Sequence, residues 1–488
     1  MNTKQLRRKI LDLAIRGKLV PQDPNDESAS VLLERIREEK ERLIKEGKIK
    51  RDKKASATLR DDDKSHYGNL PQGWVWVTLS NITTVISDGD HQPPPQSDSG
   101  VPFLVISDVR SGSIVFDKAR YVSQNYYDGL AWTRKPYKGD VLFTVTGSYG
   151  IPIMVEMETP FCFQRHIALL RPCVVENHFL SLFLLSDLIK QQCDEFATGI
   201  AQKTVGLESL RKIMLPLPPL AEQQRIVTAI ESAFSVIDEI ERNKTDLQSA
   251  ITAAKSKILS LAIRGKLVPQ DPNDEPASVL LERIRSEREQ LIKSGKIKRG
   301  KGESAAINCD DNSHYEQLPF DLPKSWQWYH LSDLWELLSG RDLTPSEYAD
   351  NEIGIPYITG ASNFTDGDLI INRWTACPRV IAKNDDLLIT CKGTVGAMLI
   401  NTQGDIHIAR QIMAIRNRSG LNVRFLQIVM TSFILQITTA AKGIIPGISR
   451  EDLLNMLIPC PPLNEQTRIE KIVNNAFIVL NEIAENLN

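Results

Sequence analysis

Two hydrophobic rhythms divide this chain. In the first, Ile226, Ile230, Ala233, Ile237, Ile240, Lys244, Leu247, Ile251, Ala254, Ile258 and Leu261 follow one another in steps of four and three, and only Lys244 is polar. Such a stripe, with a period near 3.5, marks a helix packed along another helix. It predicts one continuous helix over 221–264, about 65 Å long at a rise of ~1.5 Å per residue. Ile469, Val473, Ala476, Leu480, Ile483 and Leu487 resume the same spacing before Asn488, and Leu6, Ile10 and Leu13 carry it on near the N-terminus. A second seam is thus split across the termini, as in a circularly permuted repeat. The expectation is that helices 463–487 and 3–17 lie end to end and antiparallel to 221–264. That would make a pseudo-twofold molecule whose two globular heads are held apart by a helical pair.

The second rhythm is strand-like. After Gly68, short apolar runs (VPFLVI, GSIVF, GDVLFTVTG, GIPIMVEM, HIALLRP) alternate with Gly, Pro and Asp. They predict a strand-rich domain with one clear helix near 176–196. It opens on Trp74 and Trp76, spaced to share one face of an extended strand, and closes on GLESLRKIMLPLPPL. The plan recurs: Trp326 and Trp328, then NDDLLITCKGTVGAMLI, ARQIMAIRN and EDLLNMLIPCPPLNEQTRI. The frames match and the interiors do not.

Residues 9–51 and 257–299 repeat almost identically at an offset of 248, differing only at Asp12/Ser260, Ser28/Pro276, Glu38/Ser286, Lys40/Arg288, Arg42/Gln290 and Glu46/Ser294. Each copy reads as a helix stopped by a glycine (Gly17, Gly265), a PQDPNDE loop, and a second helix, over 28–46 in the first copy. A period of half the chain excludes a solenoid array. The fold class is therefore α+β: two strand-rich α/β domains separated by a long antiparallel coiled-coil pair. The segments are an N-terminal helical region (1–65), a first domain (66–219), a central helical region (220–313), a second domain (314–462) and a C-terminal helix (463–488). The polar run KIKRDKKASATLRDDDKSH reads as a solvated linker or as a basic arm touching phosphate or a partner.

Composition narrows the function. The 488 residues are 25% charged and 42% hydrophobic, with a net charge of −2, so any nucleic-acid surface has to be local. No apolar run reaches a membrane span or a secretory signal. Seven scattered cysteines without CxxC spacing argue for a reduced, cytoplasmic protein without zinc fingers. Catalytic signatures are missing. The Pro pairs in PLPPL, PCPPL and HQPPPQ are not followed by an aromatic residue, as an adenine methyltransferase tetrad requires. RGKL is no phosphate-binding loop, and the histidines show no metal spacing. A nuclease site at Asp385, Asp386 and Lys392 is disfavoured because Thr390 stands where an acidic residue belongs.

The PLPPLAEQQRI and PCPPLNEQTRI junctions, the LAIRGKLVPQDPNDEPASVLLERI stretch and the paired WxW starts resemble the specificity subunit of type I restriction–modification enzymes, over essentially the whole chain. The resemblance implies two target-recognition domains, each reading one half of an asymmetric bipartite site in double-stranded DNA. It also implies helices that set the spacing and dock two methyltransferase subunits, with restriction/translocase subunits joining that core. No catalytic site or cofactor is implied on this chain; S-adenosylmethionine, ATP and Mg belong on partner subunits. The outer helix residues Glu222, Gln223, Arg225, Glu231, Asp238, Glu239 and Arg242 are expected to be free, near the docking surface. A non-catalytic tandem protein-interaction scaffold is the alternative.

Reading DNA needs phosphate contacts for register and side-chain donors and acceptors for base edges. Thr146, Gly147, Ser148, Tyr149 and Gly150 follow an apolar strand, as do Lys392, Gly393, Thr394, Val395 and Gly396. They are either hairpin turns or sites where glycine amides approach an anion. Gln164, Arg165 and His166, with Arg410 and Gln411, stand before an apolar strand and either reach a groove or sit at a solvated strand start. Gln202, Lys203 and Lys442 are loop candidates, as are Asp90, His91, Gln92, Arg341 and Asn363. The Trp pairs read as core.

Overall fold

The computed structural model describes residues 2–51, 69–90, 94–109, 111–199, 202–295, 318–365, 367–440 and 447–487. Most of the polar run expected as a linker or basic arm lies outside them. The chain forms two compact units, Met1–Asn243 and Lys244–Asn488. The boundary falls inside one 44-residue helix, Leu220–Ile263, one residue from the predicted bounds at either end.

In the first unit, helix Thr3–Ile15 ends at Gly17, whose φ of 62° suits glycine and where a Cβ would strike Pro71. Helix Ala29–Lys45 follows, capped by Ser28, and buries Leu32 and Ile36. The domain then opens on strand Val75–Thr78, which pairs antiparallel with its closing strand Met214–Leu217. Between them lies an antiparallel sheet in the order Thr83–Asp88, Ile167–Pro172, Val141–Thr144, Pro152–Met154. A three-stranded sheet (Arg120–Val122, Val101–Leu104, Cys162–Phe163) packs near it. The central strands are covered on both faces. Val141 and Phe143 enter one apolar cluster with the helices, while Leu142 enters another with Leu104 and Phe163. Burial on both faces explains why these strands read as unbroken apolar runs rather than alternating ones.

The second unit repeats this order with Trp335–Ser339, Ile412–Asn417, Leu387–Thr390 and Met398–Ile400. Its bracketing strands Gln327–His330 and Leu457–Cys460 are also antiparallel. A matching buried ion pair supports each main sheet. Arg171 grips Asp140 through two nitrogens (2.9 and 2.7 Å), and Arg416 grips Asp386 (3.1 and 2.8 Å). Asp386 is therefore a sheet carboxylate and not half of a nuclease pair.

Three sequence expectations change. The single helix over 176–196 is two, Asn177–Leu184 and Asp187–Phe196, because Ser186 caps the second with its side chain. GSIVF is irregular; its Ile114 and Phe116 pack on the apolar cluster without joining a sheet. Trp74 precedes its strand and is buried, whereas Trp76 is only half-buried. The seam itself buries Ile226, Ile230, Ile237 and Ile251, then shifts by one to Leu259, Ala262 and Ile263. A helix of 3.6 residues per turn drifts against a 3.5 repeat in this way.

The outer-face expectation is corrected most sharply. Glu222 and Gln223 are 1% and 0% exposed. Glu222 accepts hydrogen bonds from the Trp74 indole N–H (2.8 Å) and the Gln22 amide (3.0 Å). Gln223 donates to the Pro218 carbonyl and accepts from the Glu176 N–H, while Arg225 pairs with Asp26 at 2.6 Å. Asp238 pairs with Arg7, and Glu231 meets His178. The second unit builds the same joint: Glu465 accepts from Trp326 (3.0 Å) and Gln270 (2.5 Å), and Asp274 pairs with Arg468 at 2.6 Å. Gln22 and Gln270 are the same position of the two repeat copies.

Glu465→Ala would strand the buried Trp326 indole N–H, an unsatisfied buried group costing about 1–3 kcal/mol, while the exposed Gln270 amide can turn to water. A loss of about 1–3 kcal/mol is expected in urea unfolding of the second unit's transition. The Glu465 carboxyl is held above its ordinary value, first by burial, against the lowering effect of its Trp326 and Gln270 bonds. A raised folded value means this group's contribution is full below the unfolded value near 4.5 and is lost as pH climbs through the folded one. Glu465→Gln should flatten that decline in a pH series of unfolding midpoints; an unchanged slope would contradict it.

Candidate nucleic-acid interface

Strand Val141–Thr144 ends in a buried threonine. The Thr144 hydroxyl donates to the Ser148 carbonyl (2.7 Å) and accepts from the Ile151 N–H (3.0 Å), so residues 145–150 fold into a tight hairpin turn. The turn places Gly147 and Gly150 at φ of 72° and 88°, where a side chain would be strained. Three further stretches are drawn to this strand end. Val145 N–H donates to the His166 carbonyl, Val205 N–H to the Val145 carbonyl, and Gly147 N–H to the Lys203 carbonyl. Loop 89–90 crosses so closely that a Cβ on Gly89 would collide with the Phe163 carbonyl, and Arg165 N–H donates to the Asp90 carbonyl.

The second unit assembles its counterpart. Thr390 donates to the Thr394 carbonyl (2.6 Å) and accepts from Ala397 N–H (3.0 Å), with Gly393 and Gly396 at φ of 76° and 86°. Cys391 N–H donates to the Gln411 carbonyl and Ile448 N–H to the Cys391 carbonyl. Gly340 crosses over the Ala409 carbonyl as Gly89 crosses over that of Phe163. Four stretches that are far apart in sequence therefore meet at one strand end in each unit.

Among the sequence candidates, Gly147, Ser148, Arg165, Gln202 and Lys203 are exposed here, as are Lys392, Gly393, Thr394, Arg410, Gln411 and Arg341. Others serve the fold. Thr146 is buried against Thr204. The Tyr149 hydroxyl donates to Asp194, a bond that also holds its pKa up. His166 is half-buried, and burial together with neighbouring Arg165 holds its imidazole below the ordinary value, so it is neutral at pH 7. The Asp90 carboxylate takes Arg134 (2.8 Å) and the Tyr126 hydroxyl.

Two readings are corrected. Asn363 is 1% exposed, and its amide ties Thr359, Gly360 and Ile370 together, so it organises a loop and does not face a base. The amides of Gly147, Gly150 and Gly396 are already committed to carbonyls within the fold, so at these three glycines an anion would meet exposed side chains instead. His91, Gln92 and Lys442 lie outside the described residues. Asp342 was missed, although the match of SGRD to DGDH around the crossing glycines marks it. What remains outward is a set of guanidinium, ammonium, amide and hydroxyl groups suited to phosphate oxygens and base edges.

Other chemistry finds little support. Burial pushes the thiols of Cys162, Cys193 and Cys460 up to about 12. Among the described residues no group of three or more His, Cys, Asp or Glu is placed to hold a metal, and no helix is long and apolar enough to cross a membrane.

A family model described as "Type I restriction modification DNA specificity domain" matches residues 71–248 and 323–488. The EcoAI specificity subunit of Escherichia coli is 29% identical, the alignment covering 96% of this chain and 87% of that protein. The EcoEI specificity subunit of the same species is 27% identical, over 99% and 90%. Among solved structures, a chain from a study of assembly and conformational transition of the type I R-M system aligns with a TM-score of 0.63 at 21% identity, over 86% of this chain and 94% of that one. The HsdS subunit from Thermoanaerobacter tengcongensis aligns with a TM-score of 0.51 at 21% identity, over 86% and 93%. The two structures share the fold. The family match covers most of the chain, and the chain belongs to the family of type I restriction–modification DNA specificity proteins.

Thr144→Val removes a buried hydroxyl that holds both sides of the first turn. A loss of about 1–3 kcal/mol is expected, with faster hydrogen exchange at Gly150 and Ile151. Unchanged exchange there would show that the turn does not depend on the hydroxyl.

Proposed function

We propose that this chain is the DNA-sequence-reading subunit of a type I restriction–modification complex, each four-loop surface contacting one half of a bipartite site in double-stranded DNA. The observation that carries this is the convergence, in both units, of the same four stretches on one strand end, with different side chains at matching positions. Arg165 stands opposite Arg410, but Ser148 opposite Thr394, His166 opposite Gln411 and Asp90 opposite Arg341. Equal frames with unequal chemistry favour an asymmetric target. In this reading the long helix sets the spacer between the half-sites. The helical segments also dock two methyltransferase subunits, which restriction/translocase subunits join. Catalysis, with S-adenosylmethionine, ATP and Mg, lies on those partners. The pairing of Asp386 with Arg416 and the un-ionised buried thiols support a non-catalytic role.

The test is a genome-wide map of N6-methyladenine in cells carrying the methyltransferase subunit, with and without this chain. A gapped, asymmetric motif present only with the chain is expected, and methylation unchanged by its deletion would overturn the reading. Within the assembled complex, Lys203→Ala should weaken binding to all sequences alike and lower the slope of log K against log salt by about 1. A loss confined to one base pair would assign Lys203 to base reading instead.

A further inference from the structure

The second unit carries an exposed ion pair at its loop cluster. Arg410 Nε lies 2.7 Å from Asp342 Oδ2, and the Arg410 backbone N–H donates to Asp342 Oδ1 at 3.1 Å. Both backbones are pinned. Arg341 N–H donates to the Ile408 carbonyl, the Arg341 carbonyl accepts from His407 Nε2 (2.9 Å), and Leu343 N–H donates to the Tyr357 hydroxyl (3.3 Å). On the other side Ala409 N–H donates to the Ile358 carbonyl, and Ile412 N–H closes a turn on the Ala409 carbonyl. The side chains themselves stand in solvent, 71% and 45% exposed. An exposed pair of this kind adds at most about 1 kcal/mol to stability, so its main consequence is orientation. In the first unit Asp90, at the position of Arg341, directs its carboxylate to Arg134 and Tyr126, and Arg165 donates its N–H to the Asp90 carbonyl.

We propose that Arg410 is a preorganised guanine reader and that Asp342 is its positioning residue, so that the half-site read by the second unit contains a G·C pair recognised by Arg410. This rests on the reading of these loops as a DNA surface. The carboxylate lies against Nε, which leaves the end-on edge of the guanidinium, Nη1 with Nη2, without a partner among the described residues. That edge carries paired donors matching the guanine O6 and N7 acceptors. A phosphate contact fits less well. Asp342 cancels the charge that attracts a phosphate and would itself be repelled by one, whereas a base edge offers dipoles and a fixed geometry.

The experiment uses the assembled complex with its methyltransferase subunits, the target motif once mapped, and a set of duplexes with every single base-pair change in both half-sites. Methylation rates and equilibrium binding are measured for the wild-type chain, Arg410→Ala, Arg410→Lys and Asp342→Asn. Discrimination at one G·C pair should fall by about 5- to 150-fold in Arg410→Ala and also in Arg410→Lys, which keeps the charge but not the fork. Asp342→Asn keeps the oxygen that caps Arg410 N–H and should relax the same pair, leaving other positions unchanged. The proposal is overturned if Arg410→Ala weakens every duplex equally with a shallower salt slope and Asp342→Asn strengthens every duplex. It is equally overturned if the relaxed pair is A·T or if no pair is relaxed. The underlying reading fails separately, whatever Arg410 does, if replacing residues 314–462 with another such domain leaves the motif unchanged.

Discussion

A carboxylate buried at the start of a helix is the constraint on which each unit depends. Glu222 and Glu465 are almost wholly shielded from water, and burial of a charge is costly unless partners surround it. The partners come from separate segments: a tryptophan at the mouth of the globular domain and a glutamine from the loop of the repeat copy. The neighbouring glutamine reaches back to the domain's closing segment, through Pro218 or Pro461, and sideways to Glu176 or Asn422. Removing any one strand of this knot leaves a polar group buried and unmatched. Domain mouth, domain exit, long helix and repeat loop are thereby fixed to one another within each unit.

This joint accounts for the identity of three positions in the two repeat copies. Gly17 and Gly265 turn at φ near 60° against a proline, Gln22 and Gln270 meet the glutamates, and Asp26 and Asp274 meet the arginines. Each of these positions has a partner that tolerates little else. The six differences between copies leave all of them intact. Ser28 caps its helix with a hydroxyl, and Pro276 takes the same place through backbone geometry. Inside the domains the retained residues are likewise few: a threonine at a strand end, a glycine at a crossing, an aspartate–arginine pair under the main sheet. Between them the loops can vary without disturbing the frame.

Much of this was legible in the sequence, and the failures have physical causes. Heptad spacing and the duplicated stretch located the long helix within one residue, because both signals are local and repeated. The same spacing misplaced Glu222, Gln223 and Arg225 on a free face. Helical periodicity says which residues face a partner helix, but not that a domain will fold over the first turn from another side. Asn363 is illegible for a related reason: an amide in a loop has the same chemistry whether it clasps backbone or meets a base, and burial alone separates the two. The turn glycines were recognised, but the destination of their N–H groups depended on Thr144, Thr390 and Lys203, which no spacing rule connects.

The crossing glycines show how one frame can hold two readings. Gly89 and Gly340 sit where backbone passes over backbone, and a Cβ at either position would collide with a carbonyl. Glycine is therefore fixed by sterics, while the next residue is not. Asp90 turns inward to Arg134 and Tyr126; Arg341 points to solvent, and Asp342 after it engages Arg410. One position thus lends its charge to a half-buried internal pair in one unit and to the surface in the other, without altering strand order or register. Separating steric positions from chemical ones lets sequence preference change while the energetic cost falls on exposed residues, where substitutions usually shift stability by no more than about 0.5 kcal/mol. A domain built this way can acquire a new target without refolding, provided the buried joint at its mouth is left alone.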